Sequence, residues 1–309
     1  GSAQQAVRVA TPVVQFNSLR GDAWVTSSGD IKLASLDGQG KLNLRADGNI
    51  GQTQQLSYTR DLNLAASGSI NLDNPDNRLT GGLSFNAANA VTLANGLTSL
   101  AALNAEQFTY SGQDLTASGP LVVAGATSLT STGSIEALNP ANRLARVQVN
   151  AAGSAKLALG TDSSLVGAKV GGTLQAQADG LTVAGDLTAA ALELTAGQPA
   201  TGAGQLKVSG QLNAPQISLT AGDLVLKTQL QGSQLSLSAK SVSLEKSVDL
   251  SGDFSAQVDS LQQASDAAIA SKGAVTINAT GALQLDGAIT SGRDLSLVAG
   301  GSIAQSGAW

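Results

Sequence analysis

The chain has no cysteine, no methionine and no histidine. Without cysteine it can form neither disulfides nor a thiol nucleophile. Without histidine it lacks the side chain most often used as general base and transition-metal ligand. Aromatic residues make up 3% and charged residues 13% of the 309 positions, the latter about half the share of an ordinary soluble domain. Lys and Arg number 17 against 22 Asp and Glu, with no basic cluster, which speaks against a nucleic-acid partner. No run of about 18 apolar residues occurs, so no helical membrane span is expected. Neither a cofactor nor a metal site is expected. Enzymatic activity is not expected either.

What fills the chain is 36 glycines together with Leu, Val, Ala, Ser, Thr, Gln and Asn. Few side chains are large enough for a broad three-dimensional core. Such a composition suits a narrow interior that is repeated. A short phrase does repeat: two aliphatic residues two apart, a small residue, then often glycine, as in KLNLRADGNI (41–50), DLNLAASGSI (61–70), QISLTAG (216–222) and DLSLVAGG (294–301). Alternation puts Leu42 and Leu44 on one strand face and Asn43 on the other. Taking the first inward residue of each phrase gives Leu42, Leu62, Leu83, Phe108, Thr127, Val147, Leu174, Leu192, Ile217, Leu235, Phe254, Val275 and Leu295.

Most of these intervals are 18 to 21 residues, and three are 25 to 27, where an inserted loop is expected. A unit of that length, made of strands between Gly, Asn and Asp turns, is one coil of a parallel β-helix. A single coil buries too few aliphatic groups to offset its backbone entropy, so stacking must stabilise it. The expectation is an all-β solenoid of about thirteen coils. Residues 1–30 should form an irregular or partial first coil and 31–309 the repeat region, with Gly1-Ser2 a cloning scar on a fragment of a longer chain. Two stretches, 98–108 and 260–273, fit either a short helix on an inserted loop or a coil of atypical sequence.

GSINLDNPDNRL (68–79) returns as GSIEALNPANRL (133–144), 65 positions later. Proline presets its φ, and asparagine tolerates turn conformations while bonding nearby backbone. Asn74, Pro75, Asn77 and Arg78, with Asn139, Pro140, Asn142 and Arg143, therefore read as repeat corners, with the two arginines expected on matching corners three coils apart.

GSIEALNPANRLARVQVNAAGSAKLALG, VGGTLQAQADG and AGGSIAQSG resemble the repeats of filamentous-haemagglutinin-like exoproteins. The resemblance spans roughly residues 30–309. It implies a right-handed parallel β-helix, exported to the bacterial cell surface or medium through an outer-membrane pore partner by two-partner secretion. It further implies adhesion to host cells or to biofilm polysaccharide, or a stalk carrying a distal tip or C-terminal toxin. A monomeric rod is expected.

Other candidate residues each carry a plainer reading. Arg20-Gly21-Asp22 is an integrin-type tripeptide, and three letters match easily by chance. The pairs Asp249/Asp253 and Asp73/Asp76 could serve a β-helical polysaccharide-degrading enzyme if they flanked a cleft. Asp61, Asp114, Asp186, Asp223 and Asp294 recur before strands, where turn formation explains aspartate without calcium. Trp24, Tyr58, Phe108 and Tyr110 are the aromatic candidates for stacking on sugars, with Phe108 and Tyr110 expected in the core because they share one strand face. Trp309 reads as a cover for a last coil or as the point of a cut.

Overall fold

The computed structural model describes residues 6–197 and 202–306, excepting the side chains of Ser18 and Leu19. Gly1, Ser2 and Trp309 lie outside the described residues. The chain divides into two compact units, Gly1–Gly153 and Ser154–Trp309. In both, the described residues form strands and turns without a helix, and the strands pair in parallel as the coils of a β-solenoid.

In unit one, Ile31, Ile50, Ile70, Val91, Phe108, Thr127 and Val147 follow one another in register, one per coil. In unit two Ala155, Leu174, Leu192, Ile217, Leu235, Phe254, Val275 and Leu295 follow one another in the same way. These rows mark seven coils in unit one and eight in unit two, where thirteen were expected in all. The interior is built by alternation: in Leu62–Ala66 the first, third and fifth side chains are buried and the second and fourth face outward. Leu42, Leu62, Leu83 and Leu100, all fully buried, stack in one column. Continuous backbone ladders plus this shared apolar column supply what one coil cannot.

The predicted anchors changed face between Leu83 and Phe108. Leu83 pairs with Leu100, 17 residues on, whereas Phe108 belongs to the next face and pairs with Val91. The 25-residue interval therefore holds no inserted loop. Within unit two, Leu174 pairs with Ala155, so the long interval ahead of Leu174 likewise reflects a skipped anchor. Only the interval from Leu192 to Ile217, which pair directly, carries extra chain, between Ala196 and Gln205. Gly197, Gly202 and Gly204 bound that insertion with φ of 65°, 67° and 87°, a region open to glycine at no steric cost.

Both helix-like stretches are strand. Residues 98–108 fall in the strands Thr98–Ala105 and Gln107–Gly112. Opposite the Leu83/Ser84 step, Ala101 is an unpaired bulge residue, so inward Leu100 and Leu103 sit three apart. A β-bulge therefore produced a spacing that imitates a helix. Residues 260–273 contain the end of the strand Phe254–Gln263, a turn in which Ala267 N–H donates to Ala264, and the strand Ile269–Ser271. Solenoid pairing also begins before residue 30: Val7–Val9 pairs with Val25–Ser27, and Ala23–Ser27 with Leu42–Ala46.

The two Asn-Pro turns do not occupy matching corners. Ile70, ahead of the first, leads through Val91 and Phe108 to Thr127 in three coils. Ile135, ahead of the second, pairs with Leu115 on the following face. The 65-residue repeat is thus three coils plus one face, and Arg78 and Arg143 point from different edges of unit one.

Candidate functional site

The corners show how these turns hold the coils. Asn77 is buried; its amide oxygen accepts the Leu56 N–H at 2.8 Å and its amide nitrogen donates to the carbonyls of Ala94 at 3.0 Å and Leu72 at 3.3 Å. Asn142 repeats the arrangement, accepting from Leu121 N–H and donating to Ala137 O. Asn74 and Asn139 close the turns themselves, accepting from the N–H groups of Asp76 and Ala141. Arg78 and Arg143 are exposed, and the Arg143 guanidinium donates to the carbonyl of Asn142. Asn95, not singled out in the sequence, plugs a third corner by bonding both N–H and C=O of Leu79. Its signal was only an Asn ahead of Gly96, which looks like any turn.

The recurring aspartates are corner braces. Asp22, Asp61, Asp114, Asp186 and Asp253 each accept the N–H of a residue one coil on: Lys41, Gly82, Ser134, Gln211 and Ala274. Asp223 accepts instead from the Ser241 hydroxyl at 2.5 Å, and the backbone carbonyl of Asp294 accepts from the Ser291 hydroxyl. In the integrin-type tripeptide, Arg20, Gly21 and Asp22 are exposed, and the Asp22 carboxylate is engaged at 2.9 Å by the Lys41 N–H. Asp249 is the exposed middle residue of the strand Val248–Leu250 and Asp253 is exposed just ahead of the strand Phe254–Gln263, while Asp73 and Asp76 flank the first Asn-Pro turn, with Asp73 accepting from Asn71. Among the described residues no three acidic side chains cluster closely enough to hold a metal ion.

Of the four aromatic candidates, three are interior. Phe108 and Tyr110 are buried together as their shared face required, and Tyr58 is buried with its hydroxyl donating to Gly40 O. Burial pushes both tyrosine hydroxyls above the usual phenol range. Trp24 is different. It is half-exposed on the outer face of unit one, near one end of a groove of about 670 Å³ whose lining continues past it to Ala6.

That groove runs along two outward rows in register. One row is Trp24, Asn43, Asn63, Ser84 and Ala102; the other is Thr26, Arg45, Ala65, Asn86, Asn104 and Val122. Inward Leu42, Leu44, Leu62 and Leu64 fix the pleat, which forces Asn43 and Asn63 outward. The small side chains of Ala65, Ser84 and Ala102 leave the floor low between taller neighbours. Asn63 donates to Asn43 at 2.8 Å, Asn104 to Asn86 at 3.0 Å, and Asn43 to Ala23 O at 3.3 Å. Each amide keeps further donor and acceptor positions for a ligand. Among the described residues no carboxylate lines the groove, and the one cation there, Arg45, faces Asp47 at 3.6 Å. An aromatic plane beside rows of neutral amides can stack on and hydrogen-bond to polyhydroxylated molecules.

A second groove, about 480 Å³ in unit two, is lined by Gln216, Gln234, Ser218, Ser236, Ser255 and Thr276 among others, with Glu193 and Asp253. It sets the register-paired amides of Gln216 and Gln234 among hydroxyls and two carboxylates, and among the described residues no tryptophan lines it.

A family model of repeats of unknown function (DUF5649) matches residues 20–86, 86–152 and 272–309, more than half of the chain. The first two matches adjoin and are each close in length to the three coils and one face that separate the two Asn-Pro turns. No curated protein and no solved structure matches the chain.

Proposed function

We propose that this chain, which belongs to the family of repeats of unknown function (DUF5649), is a non-enzymatic adhesive segment that binds polysaccharide through the outer groove of unit one. In this reading it is part of a filamentous-haemagglutinin-like bacterial exoprotein. A pore partner in the outer membrane exports it, and it acts at the cell surface or in the extracellular matrix. The observation that carries the proposal is the pair of outward rows in which Trp24 continues into the bonded amides of Asn43 and Asn63, with no carboxylate beside them. Shallow amide contacts are individually weak, and repetition along a polymer raises their sum.

The test is retention of the protein on immobilised bacterial exopolysaccharides and host glycans, with Trp24→Ala and Asn63→Ala as variants. Saturable retention on at least one glycan, reduced in both variants, is the expected result. Absence of retention on every glycan would overturn the proposal in favour of a passive stalk. Appearance of new reducing ends during incubation would overturn it in favour of a polysaccharide-degrading enzyme.

A further inference from the structure

Resting on that reading, we infer that the ligand is an uncharged, extended polysaccharide lying along the coil-stacking direction of unit one, one sugar ring per coil. The register supplies the geometry. Trp24, Asn43, Asn63, Ser84 and Ala102 sit on five successive coils in direct pairing, and Pro120 lines the groove beyond them. Parallel strands repeat every ~4.8 Å, close to the advance of one ring and its linkage in an extended β-linked glycan. Five such steps make a track of ~24 Å, enough for about six sugars.

The chemistry selects the polymer. With no carboxylate in the lining and Arg45 set against Asp47, an anionic chain gains no unpaired cation and a cationic one meets no acid. A helically coiled α-glucan leaves the row after a ring or two, because its hydroxyls rotate away from a straight ladder. A ribbon-like glycan presents its edge hydroxyls at a constant azimuth. Trp24, near one end of the groove, gives that ribbon a platform for one ring face.

The experiment is calorimetric titration with neutral β-linked oligosaccharides of graded length, from a disaccharide upward, alongside a coiled α-glucan and an anionic polymer. Affinity should climb with length and level off at about six sugars, with the α-glucan and the anionic polymer weaker. Trp24→Ala should weaken the longest ligand by roughly fivefold to tenfold. Ala102→Arg, whose new side chain points outward and leaves the core untouched, should shorten the plateau to about four sugars. A disaccharide binding as tightly as the longest chain, an unchanged plateau in Ala102→Arg, or preference for the anionic or coiled polymer would overturn the inference. Each of those results leaves the glycan-binding reading intact if a glycan is still retained; loss of all retention removes both.

Discussion

The side-chain oxygen of Asn77 accepts the backbone N–H of Leu56 at 2.8 Å, 21 residues earlier in the chain, inside the solenoid. The same amide serves the carbonyls of Leu72 and Ala94, so one asparagine completes hydrogen bonds on three consecutive turns of unit one. A corner whose backbone is not paired strand to strand depends on such a plug, because buried amide groups are costly to leave unmade.

Asn77→Ala should therefore destabilise unit one by about 2–4 kcal/mol, and Asn142→Ala by a similar amount. Arg78→Ala, at the exposed neighbour, should change stability by less than about 0.5 kcal/mol. Urea unfolding of the three variants checks this; equal midpoints for Asn77→Ala and Arg78→Ala would show that the plug is not needed.

Thr127 is a second buried polar group, and its hydroxyl has no partner between Phe108 and Val147 in the core row. Thr127→Val keeps the shape and removes the unsatisfied oxygen. It should stabilise the protein by about 1 kcal/mol, seen as a higher thermal midpoint. A lower midpoint would mean that the hydroxyl finds a partner in solution.

For Asp22 the brace to Lys41 predicts a separation of two substitutions. Asp22→Asn retains an acceptor and should leave thermal stability nearly unchanged, while Asp22→Ala should lose about 1 kcal/mol. If attachment to integrin-bearing cells disappears in the stable Asn variant, the tripeptide has a binding role in addition to its structural one.

Lys41 and Asp61 form an ion pair at 2.7 Å on the outside of unit one. The hydrogen bond from Lys41, with that from Gly82 N–H, holds the Asp61 carboxyl below the usual range, and the same contact raises Lys41. A lowered acid stabilises the fold above its unfolded pKa and loses that contribution as pH falls through the folded value; a raised lysine loses its contribution as pH climbs through the folded value. The thermal advantage of wild type over Asp61→Asn should thus be flat across neutral pH and vanish at both extremes. Being exposed, it should be small and shrink with added salt, which melting curves across pH and ionic strength will read.

Glycine spacing shows where the sequence was readable. A side chain at Gly119 would place its Cβ 1.7 Å from Ala101 O, and at Gly40 2.1 Å from the Gly21 carbonyl carbon. Coil corners touch backbone to backbone there, so the glycines punctuating the Leu-x-Leu phrases mark coil edges in the letters themselves. Alternation in Leu42–Ala46 and Leu62–Ala66 likewise determined which side chains face in. Those two signals are local, and they are enough to identify a parallel β-solenoid.

Register is not local, and only the tertiary structure decided it. Phe108 looks like the successor of Leu83 until pairing assigns it to the next face, because inward residues of neighbouring faces carry the same aliphatic or aromatic letters. The Ala101 bulge shifts the period from two to three within a strand, which no single-strand pattern distinguishes from a helical turn. The candidate site was hidden for the same reason. Asn43, Asn63, Ser84 and Asn86 are ordinary outward residues when read one phrase at a time. They become a groove beside Trp24 only once three pairings, each about 20 residues apart in sequence, set each one about 5 Å from the next.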